Sequence, residues 1–147
     1  MFYYGHIMDR YLKPLIQELC IGARKMAFIS GPRQVGKTTL LKTFKQNTDQ
    51  FIYHTWEDLD FRRIWVKSPK QLIPIDSQRS SLLALDEIHK AKGWKNTLKG
   101  IYDLSERNLD IIVTGSARLN VFKRGSDSLL GRYFNFRLHP ITVGELC

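Results

Sequence analysis

The chain has 147 residues, 43% of them hydrophobic and 25% charged, which gives one globular domain with a real core and excludes a disordered segment. No window is apolar for long enough to span a bilayer, and His6, Asp9 and Arg10 stand where a secretory leader needs an apolar run. Two cysteines, Cys20 and Cys147, exclude a disulfide framework and point to reduced thiols in a cytoplasmic protein, while a net charge of +9 suits nucleotide phosphates as well as nucleic acid.

Tyr11, Leu12, Leu15, Ile16 and Leu19 recur at helical spacing, which predicts an amphipathic helix from Asp9 to Cys20. Pro14 falls near its start, where a missing N–H costs little. The apolar face needs a partner, expected at the edge of a central sheet. Residues 1–22 thus form a helical lead-in to a core spanning 23–140.

Lys25 to Ser30 reads as the first core strand and Lys37 to Lys45 as the helix that follows. Between them lie Gly31, Pro32, Arg33, Gln34, Val35, Gly36, Lys37, Thr38 and Thr39. Their pattern, G-x-x-x-x-G-K-T between a strand and a helix, is a phosphate-binding loop. Glycines let successive N–H groups curl inward, and the helix start aims its unpaired N–H groups at the same point. Lys37 is expected on the β- and γ-phosphates of ATP, and the Thr38 hydroxyl on Mg²⁺. The bland alternative is a chance match, which the flanking elements argue against.

Phe51 to Trp56 is rich in aromatic and β-branched residues and reads as a second strand. Asp60 is expected to cap a short helix from Phe61 to Val66, and Ser68-Pro69 to open another. Asp76 to Ser81 is a polar turn. Leu82-Leu-Ala-Leu followed by Asp86 and Glu87 has the form of a buried parallel strand ending in two carboxylates. Behind a phosphate loop, Asp86 is expected to hold Mg²⁺ and Glu87 to activate the attacking water. A solvated acidic pair is the alternative.

Trp94 to Glu106 reads as the next helix, ended by Asn108, and Leu109 to Thr114 as a buried strand. Thr114 or Ser116 would face the crevice above the sheet's carboxyl edge and sense the γ-phosphate or fix the water. Ser116 could equally serve as a turn or cap residue. A short helical piece from Leu119 to Phe122 and a polar loop from Lys123 to Ser128 precede a fifth strand, within Leu129 to Leu138. Arg132 stands just before that strand. An arginine can grip two phosphate oxygens at once, so Arg132 is a candidate finger for the γ-phosphate, against a structural ion pair or a DNA contact. Thr142 with Glu145 looks like the cap of a further helix, so 141–147 is the start of a following element.

Four segments in order carry a family resemblance: Gly31 to Thr39, Leu85-Asp-Glu-Ile-His-Lys90, Val113-Thr-Gly-Ser-Ala117, and Leu130-Gly-Arg132 ahead of His139-Pro140. Together they resemble the N-terminal ATPase core of a bacterial and archaeal family of the AAA+ superfamily. The resemblance implies an α/β, three-layer P-loop NTPase sandwich with a mostly parallel five-stranded sheet of order 5-1-4-3-2. It also implies adenine nucleotide as ligand, Mg²⁺ as cofactor and self-association. Members usually continue into a helical lid, a winged-helix region and a further C-terminal domain, so the intact protein is expected to carry C-terminal domains that are missing here.

The reading is therefore Mg²⁺-dependent ATP binding and hydrolysis. The alternative is an ATP-binding module with little hydrolysis in isolation. DNA binding through the basic surface is a third possibility, but residues such as Lys42, Lys67, Lys92 and Lys99 are scattered and form no motif. A small-molecule kinase fits less well, because Asp86 beside Glu87 favours water as the acceptor. Guanine specificity lacks its N-K-x-D segment.

Overall fold

A computed structural model describes residues 2–3, 6–7, 10–76, 78–106, 108–116, 119 and 129–141. Two short strands, β1 (Phe2–Tyr3) and β2 (His6–Ile7), pair antiparallel ahead of helix α1 (Leu12–Leu19). The core elements then alternate: strand β3 (Met26–Ser30), helix α2 (Lys37–Thr43), strand β4 (Gln50–Thr55) and helix α3 (Leu59–Lys67). Strand β5 (Ser81–Asp86), helix α4 (Trp94–Leu104), strand β6 (Leu109–Gly115) and strand β7 (Tyr133–Arg137) follow.

The sheet has five strands in the order β4-β5-β6-β3-β7, and every neighbouring pair is parallel. Counting core strands along the chain, this is the 5-1-4-3-2 order that the family resemblance implies. Parallel strands put all their carboxyl ends on one edge, where loops of different strands converge. The central strands are apolar at nearly every position because both faces are covered. Successive side chains go to opposite sides. Ala27, Ile29, Leu82, Ala84 and Ile112 meet α1 and α2. Met26, Phe28, Leu83, Leu85, Ile111 and Val113 meet α3 and α4. The result is three layers with a core on each side of the sheet.

Several local features differ from the sequence expectation. Leu12, Ile16 and Cys20 of the α1 region belong to the same core as Ile29, Leu40 and Phe136. The helix therefore covers a face of the sheet beside α2 instead of lying along the edge. Burial there pushes the Cys20 thiol up to about 12, so this cysteine packs as an inert apolar group. The cap of α3 is Asp58, not Asp60: Asp58 has extended backbone and its carboxylate accepts from the Asp60 N–H at 2.9 Å, while Asp60 is already in the first turn. Helix α4 ends at Leu104, before Asn108. The Arg24 guanidinium takes the carbonyls of Tyr102, Ser105 and Glu106, satisfying the end of the helix from a distant segment. Alternation in β7 is as expected, with Tyr133 stacked on Phe28 at 4.3 Å on one side and Phe136 in the other core. The helical piece expected after Leu119, the 123–128 loop and the Thr142 cap fall outside the described residues.

Candidate nucleotide site

The loop from Gly31 to Thr39 leaves the carboxyl end of β3 and enters α2. Gly36, the residue before the helix, has φ 99°, a conformation that a side chain resists. This turn aims the first N–H groups of α2 into the loop. Lys37 folds back across it, and its Nζ donates to the Gly31 carbonyl at 2.8 Å and the Pro32 carbonyl at 2.7 Å. Lys37 is only 7% exposed. Burial pulls its pKa down, and the negative charges of Glu87 and Asp86 oppose that shift. The ammonium is thus held among carbonyls and carboxylates where a phosphate would present the same oxygen chemistry.

Asp86 ends β5 and is 3% exposed. A buried carboxylate needs donors, and hydroxyl groups from three other segments supply them. Thr38 Oγ1 donates to Oδ2 at 2.7 Å and Tyr53 OH donates to the same oxygen at 2.6 Å. Thr114 Oγ1 donates to Oδ1. Thr114 also accepts the Glu87 N–H at 3.2 Å. The phenol of Tyr53 is held well above its usual pKa, first by burial and then by its hydrogen bond to Asp86. Tyr53, Asp86 and Thr114 share one side of neighbouring strands, which is why they can meet. Nothing in the local sequence marks Tyr53 for this role. The signal was available only through strand order: β4 lies beside β5, with Thr55 opposite Asp86, so Tyr53 is two places back on the same face.

Glu87 follows with φ 60°, a left-handed backbone that costs a non-glycine residue about 1–2 kcal/mol. The turn sends its carboxylate away from Asp86 to the wall of an open cavity of about 450 Å³, which Arg33, Gln34, Gly36, Lys37, Thr38 and Thr39 complete. Glu87 Oε2 lies 3.8 Å from His89 Nε2 and 3.8 Å from Lys90 Nζ. Lys90 is also ion-paired with Glu57. Ser116 reaches this group through its backbone, whose N–H donates to His89 Nδ1 at 3.2 Å. A smaller recess of about 220 Å³ shares Gln34, Gly36 and Thr39 with the cavity and is closed by Arg10, Val35, Leu40, Thr43 and Ile141. Arg10 donates to the Val35 carbonyl at 2.8 Å and to the His139 carbonyl at 2.5 Å.

Arg132 is elsewhere. Tyr133 pairs with Met26 at the amino end of β3, whereas the phosphate loop leaves from the other end after Ser30. The separation is about 15 Å of extended strand. There Arg132 Nε lies 3.5 Å from Asp103 Oδ1 and the guanidinium is over the Tyr102 ring. It does not line its own chain's cavity.

The residues fit a magnesium nucleotide. Thr38 and Asp86 bring a hydroxyl and a carboxylate together beside the lysine, the oxygen donors a hard cation takes. Among the described residues no cluster of three or more His, Cys, Asp or Glu exists to hold a metal alone. A cation here would need phosphate oxygens and water to fill its shell, as Mg²⁺ in phosphate-loop sites does.

A parallel sheet of this order, with a glycine-lysine-threonine loop leaving the strand next to its edge, defines the class of P-loop NTPases. Within that class, residues 23–147 match the family described as AAA domain, and the chain belongs to it as an AAA+ P-loop core. Among relatives it is 28% identical over 150 residues to an uncharacterized protein of Haemophilus influenzae, covering 93% of this chain and 36% of that protein. It is 29% identical over 135 residues to an uncharacterized protein of Methanocaldococcus jannaschii, covering 87% of this chain and 29% of the relative. The chain therefore spans about a third of these relatives. Its fold is similar to a crystal structure of a DNA replication initiation factor, with TM-score 0.58 and 20% identity over 86% of this chain and 44% of that one. It is also similar to AMPPCP-bound DnaA from Aquifex aeolicus, with TM-score 0.54 and 18% identity over 87% of this chain and 44% of that one. No helix among the described residues is long and apolar enough to cross a membrane.

Proposed function

We propose that the chain binds ATP with Mg²⁺ and hydrolyses it. The observation that carries this is the convergence of Lys37, Thr38 and Glu87 on one cavity, with Asp86 hydrogen-bonded to Thr38 behind its wall, from a loop and a strand end that are distant in sequence. The loop N–H groups and Lys37 would cradle the phosphates. Thr38 and Asp86 would hold the metal, which when bound neutralises charge on the transferring phosphoryl group. Glu87 would orient a water and take its proton, the role its separate carboxylate suits. Buried, triply bonded Asp86 is not free to do this. The smaller recess, with apolar Val35, Leu40 and Ile141, would take the adenine ring. The AMPPCP held by the DnaA neighbour is consistent with an adenine nucleotide here.

The test pairs two variants. Glu87→Gln is expected to keep Mg·ATP bound while losing most hydrolysis. Asp86→Asn is expected to change the Mg²⁺ dependence of nucleotide binding as well. Calorimetric titration with and without Mg²⁺, alongside phosphate release, reads both. Failure of the parent chain to bind ATP or ADP would remove the proposal.

A second reading is favoured by the position of Arg132. Arg33 is the one arginine lining the larger cavity among the described residues. A chain that needs a finger from a neighbour would bind nucleotide yet turn over slowly alone. Self-association, with Arg132 of one copy at the phosphates of the next, is then part of the function. DNA contact has weaker support, since Arg10, Arg24, Lys37, Lys42 and Lys90 are engaged within the fold. Salt-dependent retention on DNA would restore it.

A further inference from the structure

We propose that His89 is a positioning residue that couples the carboxylate of Glu87 to the turn at Ser116. The proposal rests on Glu87 being the base. The Ser116 N–H donates to Nδ1 at 3.2 Å, so Nδ1 carries no proton and a neutral ring has its hydrogen on Nε2. That Nε2 faces Glu87 Oε2 at 3.8 Å. One ring thus stands between the ends of two strands, bonded to Ser116 after β6 and facing Glu87 after β5.

The ring is held where it stands. Its side chain is 9% exposed, and the residue before it, Ile88, is fully buried. A methyl group on Gly115 would come within 2.6 Å of Nδ1. Only glycine at 115 leaves room for this approach. Strand pairing sets Gly115 opposite Ser30, so Ser116 is level with Gly31, the first residue of the phosphate loop. Glu87, by contrast, has a flexible side chain that is 29% exposed. A base must be placed to within a fraction of an ångström to be effective, and a mobile carboxylate is not. Lys90 also lies 3.8 Å from Glu87 Oε2, and Glu57 draws it away by an ion pair. His89 is the neighbour of Glu87 whose far nitrogen is already held, by the Ser116 N–H.

The experiment compares His89→Ala, His89→Gln and Glu87→Gln by steady-state ATP hydrolysis and ADP affinity. His89→Ala should lower kcat about tenfold or more with KM and ADP affinity within about twofold of the parent. His89→Gln should recover part of the loss, since its amide can extend toward Glu87. In the Glu87→Gln background, His89→Ala should cost nothing further. Unchanged kcat in His89→Ala, with Glu87→Gln inactive, overturns the coupling and leaves the base. Parental hydrolysis by Glu87→Gln overturns the base, and the coupling with it. A loss of ADP affinity as large as the loss of kcat makes His89 merely structural. Should the variants fail to fold, or turnover prove too slow to compare, imidazole ¹⁵N spectra of the unsubstituted protein decide. They should show His89 protonated on Nε2; a proton on Nδ1 overturns the proposal.

Discussion

Thr38 and Asp86, 48 positions apart in the chain, are joined by a 2.7 Å hydrogen bond from the threonine Oγ1 to the carboxylate Oδ2. One is in the first turn of α2 and the other is the last residue of β5. The bond ties the phosphate loop, which leaves β3, to the end of β5 across the intervening strand β6. Its two oxygens are also the pair assigned to the metal, so much of the geometry for binding is set in advance.

Lys37→Ala should weaken ADP and ATP binding at least about tenfold, or about 1.4 kcal/mol, while the fold persists. The variant loses a point charge but keeps the backbone cradle. Calorimetry on the purified variant reads the affinity and circular dichroism the fold. Affinity for both nucleotides unchanged from the parent would show that the phosphates lie elsewhere.

Thr114→Val keeps the shape of a buried side chain and removes its hydroxyl. Asp86 Oδ1 and the Glu87 N–H then lose a partner each. Leaving buried polar groups unpaired costs about 1–3 kcal/mol, so thermal unfolding should move down by roughly 3–10 °C. Thr114→Ser should restore most of it. A Val variant as stable as the parent would mean that water replaces the hydroxyl.

Arg132→Ala should cut hydrolysis far more than it weakens ADP binding if the arginine acts between copies. Its ion pair with Asp103 is partly exposed and contributes little to stability. Specific activity of the parent should rise with protein concentration. Mixing Arg132→Ala with Glu87→Gln should restore some activity, because a mixed interface joins a good finger to a good base. Normal hydrolysis by Arg132→Ala at every concentration would exclude the finger.

Asp110 gives a prediction about pH. Burial raises its pKa, against the lowering effects of the Gly22 N–H and Arg24. A raised folded-state pKa means that the folded protein holds this proton more tightly than the unfolded chain. The favourable contribution is complete below the ordinary aspartate value, about 4, and is lost as pH rises through the higher folded value. Asp110→Asn keeps an acceptor for Gly22 and removes the buried charge. It should therefore stabilise the protein at neutral pH and lose that advantage below about pH 4. Denaturant midpoints at the two pH values test this; an Asn variant less stable at neutral pH would show that the Arg24 attraction outweighs burial.

What could be read from the sequence follows from how locally each feature is encoded. The phosphate loop is contiguous, so Gly31 to Thr39 announced it. The apolar runs of β3, β5 and β6 reflect burial on both faces, so their patterns gave strands. Sheet order came from the resemblance, since apolar runs alone carry no neighbour information. Contacts that depend on register were hidden. Tyr53 bonds Asp86 only because β4 happens to lie beside β5. The face chosen by α1 was equally hidden, because an amphipathic pattern names the side of the helix and not its partner. Between Asp58 and Asp60, backbone conformation alone decides the cap. Arg132 was placed correctly before β7, yet only the parallel pairing with β3 reveals that this is the far edge of the sheet.

Arg10 ties two parts of the chain that different events would move. Its guanidinium holds the Val35 carbonyl inside the phosphate loop and the His139 carbonyl just past β7. Being buried, it cannot trade either partner for water without cost. A shift of the loop must therefore drag the strand exit with it or break a buried bond. The segment leaving β7 thus starts from an anchor shared with the phosphate loop, and the two are tied at one side chain.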